Sequence, residues 1–149
     1  MIRLSAFVCM LLLSPFAVHE AHAGDVIEGP VAADVVRVVD GDTLKLKVHV
    51  WIGQTIEVDV RVAGIDAPEL KGKCPAERAR AEEARDYLDH LVGGRAVRIA
   101  QVRNDKYGGR VIADVNEETA GDIGTAMLAR GLARAYGGGK REPWCQAAS

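Results

Sequence analysis

The stretch VVDGDTLKL, residues 38–46, sets Asp40-Gly41-Asp42 between apolar β-formers, and the pattern on either side of it decides the fold. From Asp34, DVVRVVDGDTLKLKVHV runs apolar around that turn, as two strands joined in a hairpin do. WIGQ, residues 51–54, reads as the next turn. TIEVDVRVAGI then alternates strictly, with Ile56, Val58, Val60 and Val62 on one face. Three antiparallel strands are expected. PAERARAEEARDYLDHLVGG changes the period: Pro75 suits a first helical turn, Ala84, Leu88 and Leu91 share one side, and Gly93-Gly94 stops the run. RAVRIAQV and RVIADV are two further strands around the polar turn NDKYGG. DIGTAMLARGLARAY reads as a second helix with Asp122 as its cap, Ile123, Met127 and Leu128 inward, and Gly131 at its end. The order predicts an α+β fold: a five-stranded OB-fold (oligonucleotide/oligosaccharide-binding) β-barrel with a helix after the third strand and a C-terminal helix. The tail GGGKREPWCQAAS has no period and is expected to be held only by Trp144 and Cys145.

With 149 residues, the chain suits one compact domain. Residues 1–23 combine Arg3, an apolar run from Leu4 to Phe16 and the small-residue site Ala21-His22-Ala23. This reads as a secretory signal peptide with cleavage before Gly24. Pro15, His19 and Glu20 cut the run short of the roughly 20 residues a membrane span needs. Residues 24–33 then form a short leader and 34–149 the domain. The expectation is a secreted or periplasmic monomer without stable membrane association after cleavage. A formal charge of −2 provides no global attraction to polyanions, so any nucleic-acid binding must come from a local cluster.

Cys9 leaves with the signal, and Cys74 and Cys145 remain. In an oxidising compartment they suit a disulfide tying the tail to the middle of the chain; two free thiols are the alternative. No further Cys or His lies at ligand spacing around either one, which argues against zinc.

Taken alone, Asp40-Gly41-Asp42 is an ordinary turn signal. RVAGIDAPE, residues 61–69, gives it weight. Arg61, Asp66 and Glu69 sit at the exit of the third strand, where Ala67-Pro68 forces an extended break. A three-stranded meander can bring that exit to the same end of the sheet as the turn, so Asp42, Asp66 and Glu69 converge. Crowded carboxylates repel one another unless a cation or a proton lies between them. An all-oxygen set suits a hard divalent ion, above all Ca2+. NDKYGGR adds Lys106, Tyr107 and Arg110, and two arginines facing such an ion form a phosphate clamp. The helix charges Arg78, Arg80 and Arg85 alternate with Glu77, Glu82, Glu83 and Asp86 and read as a solvated face.

VVDGDTLKL, RVAGIDAPE, DKYGGR and ARGLARAY, in that order, resemble the thermonuclease (staphylococcal-nuclease-like) family of calcium-dependent phosphodiesterases. The resemblance covers roughly residues 35–136. It implies that Asp42 and Asp66 ligate calcium with the backbone carbonyl of Ala67, although the family usually has threonine there. Glu69 matches the general base, and Arg61 and Arg110 match the phosphate-binding arginines. Lys106 and Tyr107 match groups that hold a terminal phosphate, and Tyr136 matches a base-stacking tyrosine. The implied activity is hydrolysis of DNA and/or RNA to 3′-phosphate ends. Two departures stand out: Gly108-Gly109 adds a residue before Arg110, with Gly109 expected to absorb it in a bulge, and the chain lacks the archetype's long C-terminal helix. The rival reading is a non-catalytic OB-fold nucleic-acid-binding module.

Overall fold

The computed structural model describes residues 26–145; the expected signal peptide lies outside them. Three long strands, β2 (Val31–Asp40), β3 (Thr43–Trp51) and β4 (Gln54–Val62), form the antiparallel meander that the alternating pattern predicts. β6 (Ala96–Asn104) and β7 (Arg110–Glu117) form a further antiparallel pair. Closure comes from two non-local pairings: β6 runs antiparallel to β2, with Val31 opposite Ile99, and β7 runs parallel to β4, with Ile112 opposite Arg61. The cycle β2–β3–β4–β7–β6 is a closed barrel, and its interior leaves no open sheet edge. Alternation along the strands fills it with Leu44, Leu46, Val60, Val62, Val97, Ile99, Ala113 and Val115.

Short pairs complete the fold. β1 (Val26–Ile27) adds to β6, β8 (Gly121–Asp122) adds to β7, and β5 (Ile65–Asp66) pairs with β9 (Arg134–Ala135). The ordered structure thus begins ahead of Asp34, inside the stretch expected to be a leader. Helix α1 (Pro75–Val92) follows β4, with β5 between them. Pro75 opens it, and Ala81, Ala84, Leu88 and Val92 make its buried stripe, leaving Leu91 half-buried. Helix α2 (Ile123–Ala129) is capped by Asp122, whose side chain accepts from the Thr125 N–H at 2.7 Å. Ile123 and Met127 are buried, but Leu128 is 37% exposed. The inward placement expected of Leu128 is therefore corrected: in a helix of seven residues only one narrow stripe faces the barrel.

A second correction concerns the β6–β7 hairpin. Its register shift lies between Ala100 and Arg103, where Gln101 takes φ 51°, while Gly109 sits in the connecting turn at φ 81°. The extra residue is absorbed in the turn, and the bulge is in β6. At the far end of β3 from Asp42, the hairpin tip exposes Trp51 and Ile52 to solvent.

Gly41 explains why the acidic turn is so compact. A Cβ there would lie 2.7 Å from the Ala84 Cβ of α1 and 2.8 Å from the Ala67 Cβ. The turn thus packs directly on helix and strand exit together. Gly41→Ala is expected to destabilise the domain by about 1–3 kcal/mol through overpacking; a urea midpoint matching that of the wild type would show that the contact gives way freely.

Candidate active site

The barrel brings the DGD turn and the strand exit together through local hydrogen bonds. The Asp42 N–H donates to Asp40 Oδ1 at 3.1 Å, folding the turn on its own side chain. The Val62 N–H donates to the Asp42 carbonyl at 2.8 Å, which ties the turn to the end of β4. Thr43 lies opposite Arg61 in the β3–β4 register, so the Arg61 side chain starts beside Asp42.

Arg61 then reaches both acids. Its Nη1 donates to Asp42 Oδ1 at 2.7 Å, and its Nη2 donates to Asp66 Oδ1 and to the Ile65 carbonyl, each at 3.2 Å. Asp42 Oδ1 also accepts from Thr43 Oγ1 at 2.9 Å, and Oδ2 accepts from the Ala67 N–H at 3.0 Å. All three charged side chains are buried. Charges in such a place persist only with partners, and one guanidinium serves two carboxylates here. Burial pushes the Asp42 carboxyl up to about 6; the Arg61 charge opposes that rise and the neighbouring Asp40 adds to it. Tyr136 places its ring 6.0 Å from the Arg61 guanidinium, and its N–H donates to the Gly64 carbonyl at 2.8 Å.

The tail supplies groups that sequence reasoning did not assign to the site. Arg141 Nε lies 2.9 Å from Asp66 Oδ1, and its Nη1 pairs with Glu69 Oε1. The Trp144 indole N–H donates to Asp66 Oδ2 at 3.2 Å. The tail is thus held by more than Trp144 and Cys145, correcting that expectation. The only hint in the sequence was Cys145 itself. Cys74 and Cys145 form a disulfide across 71 positions with their Cα atoms 6.0 Å apart, and this bridge delivers the tail to the acids.

Lys106, Tyr107 and Arg110 form a separate group. The β4–β7 register puts Arg110 two residues before Ile112, the partner of Arg61, and therefore on the same face of the sheet. Its guanidinium ends elsewhere: Nε donates to Asp105 Oδ2 at 2.6 Å and the group lies 5.3 Å from the Tyr107 ring. Burial raises the Asp105 carboxyl, and the hydrogen bond and charge of Arg110, with the Lys106 N–H and the Arg61 charge, more than reverse this and hold it below the usual carboxylate range. Lys106 Nζ lies 5.0 Å from the same Tyr107 ring, and Tyr107 is exposed.

Of the three carboxylates expected to converge, Asp42 and Asp66 meet through Arg61, while the exposed Glu69 joins them only through Arg141. The one group of three ligand-type side chains whose donor atoms all lie within 4.8 Å among the described residues is Cys74, Glu77 and Cys145, and both sulfurs are committed to the disulfide. By donor type, Asp42, Asp66 and the Ala67 carbonyl fit a hard divalent cation, since every atom offered is oxygen. The charge balance fits as well: Asp42, Asp66 and Glu69 outnumber Arg61 and Arg141.

Comparison with known proteins bears on the family of the chain. Residues 59–146, from mid-β4 through the tail, match the family described as staphylococcal nuclease homologue. A probable endonuclease LCL3 of Leptosphaeria maculans is 36% identical over 89 residues, which is 58% of this chain and 30% of that protein. A second, from Coccidioides posadasii, is 39% identical over 83 residues, covering 53% of this chain and 26% of the relative. The probable endonuclease C19F8.04c of Schizosaccharomyces pombe is 36% identical over 87 residues, covering 54% and 37% respectively. The chain thus spans less than two fifths of the length of these curated relatives. Asp42 lies ahead of the matched segment and enters the site through the β3–β4 register. With a match over more than half its length and the barrel that the motifs predicted, the chain belongs to the staphylococcal nuclease homologue family.

Proposed function

We propose that this chain is a calcium-dependent nuclease, a hydrolase of phosphodiester bonds in DNA and/or RNA that leaves 3′-phosphate ends. The observation that carries the reading is one buried guanidinium, Arg61, joining Asp42 and Asp66 at the barrel rim, with Glu69 beside them. The endonuclease names of the relatives support the same class of chemistry. The chain acts as a monomer, secreted or periplasmic, on a nucleic-acid substrate. Among the described residues no helix is long and apolar enough to cross a membrane.

Asp42 and Asp66 with the Ala67 carbonyl would hold the ion, which would supply positive charge to a non-bridging oxygen of the phosphate whose phosphorus is attacked. Glu69 is the exposed acid of the set, with Oε1 paired to Arg141 and Oε2 left to take a proton from water. Arg61 holds the phosphate and neutralises charge as the attacking oxygen bonds to phosphorus. Arg110, released from Asp105, does the same from along the sheet face. Tyr107 and Lys106 hold a terminal phosphate, and Tyr136 offers its ring to a base.

The test is digestion of single-stranded DNA by the mature chain, with calcium and with chelator. Chelation is expected to abolish cutting. Glu69→Gln is expected to lower kcat by about 100- to 10,000-fold, the range of general acid–base catalysis. Undiminished cutting by Glu69→Gln would remove the base from that position. Tight binding of DNA without any cutting would make the domain a binding module.

A further inference from the structure

We propose that Arg141, carried by the disulfide-anchored tail, is a phosphate-binding arginine of this site and contacts the same phosphodiester group as Arg61. The inference rests on the nuclease reading above and adds a residue that none of the quoted motifs contains. Arg110 has its Nε committed to Asp105 and lies against Tyr107. Arg141 is the arginine besides Arg61 whose guanidinium touches the acids, through Nε to Asp66 and Nη1 to Glu69. Among the described residues Nη1 donates to Glu69 and Nε makes an ion pair with Asp66, and Nη2 is left for an incoming oxygen. The side chain is 36% exposed, so substrate can reach it.

The segment around it is built to hold still. Tyr136 Oη donates to the Gly139 carbonyl at 2.8 Å on one side of Arg141, and Arg134 Nη1 donates to the Pro143 carbonyl at 3.2 Å on the other. Trp144 packs against two guanidinium groups, with Arg134 at 3.7 Å and Arg80 at 5.4 Å from its ring. Cys145 is then locked to Cys74. A removable plug needs a free end that can swing clear. Here the backbone is fixed on both sides of Arg141, the condition under which a charged donor is pre-organised for a developing charge.

The experiment uses the mature chain in a Trp51→Phe background, so that Trp144 is the sole fluorescent indole. A 5′-phosphorylated dinucleotide is titrated into chelator-treated protein by calorimetry and by Trp144 emission. Arg141→Ala is expected to weaken binding about 10- to 100-fold, as loss of a charged hydrogen bond does. With calcium present, the same variant is expected to lose about 100-fold or more in kcat/KM. Arg141→Lys recovers part of both, because it keeps the charge without the planar fork. Melting temperatures of the variants establish that each is folded. Unchanged dinucleotide affinity and unchanged kcat/KM in Arg141→Ala overturn the inference. So does a variant that binds calcium more tightly and cuts faster, since Arg141 would then be a stand-in for the cation. If the wild type cuts nothing and Arg141→Ala still loses dinucleotide affinity, the nuclease reading fails and the phosphate contact stands.

Discussion

Arg61→Ala is expected to lose both stability and activity, each by a large margin. Its guanidinium is the shared partner of two buried carboxylates, so truncation leaves Asp42 and Asp66 facing one another with their main counter-charge gone. Breaking a buried pair by removing one partner typically costs about 3–5 kcal/mol. The Asp42 carboxyl, already pushed up to about 6 by burial, rises further without the opposing charge and takes up a proton more readily. Urea denaturation measures the first effect, and calcium should narrow the deficit, because an ion bound to those oxygens in the folded state stabilises it by mass action. Loss of one pre-organised charge from the reacting phosphate lowers the rate by about 100- to 1,000-fold. Arg61→Lys should fall between, with one carboxylate served instead of two. Equal urea midpoints for the wild type and the alanine variant would mean that the acids are satisfied without Arg61.

The second large effect is expected from the disulfide. Cys74 is the residue immediately before α1, and Cys145 is 71 positions further on. Closing a loop of that length removes about 4 kcal/mol worth of disorder from the unfolded chain on the loop-entropy account. For a domain of this size such a change lowers the melting temperature by on the order of 10–20 °C. Reductant, or Ser at both positions, should therefore shift the thermal transition strongly. Trp144 should lose its contacts with Arg80 and Arg134 before the barrel opens, which its emission reports. A melting temperature unmoved by reductant, with the bridge verified in the untreated sample, would show that the tail stabilises nothing.

Much of the acidic centre was legible because it is local in the hairpins. Asp42 is fixed by a two-residue turn, and the alternating run into Val62 sets Arg61 opposite Thr43. Ala67-Pro68 marks the strand exit by its backbone restriction alone. What could not be read depends on pairings distant in sequence. The parallel register of β4 with β7 has no local signature, so the placement of Arg110 relative to Arg61 was not foreseeable, whereas its tether to Asp105 is local to the turn between β6 and β7. β1, β5, β8 and β9 have two residues each, too few for any alternation to register. Arg141 stands in a glycine-rich stretch without period, and only three-dimensional closure through Cys145 places it against Asp66 and Glu69. Leu128 shows the reverse error, where helical spacing on a short helix promised burial and the residue faces outward.

The bridge between Cys74 and Cys145 also sets an order in time. All five barrel strands have been synthesised once the ribosome passes Glu117, whereas Arg141 and Trp144 arrive later and are covalently secured only by oxidation. A still-reduced chain therefore carries Asp66 and Glu69 with Arg61 in place but with Arg141 and Trp144 less firmly held, and the pocket is completed only when the bond forms.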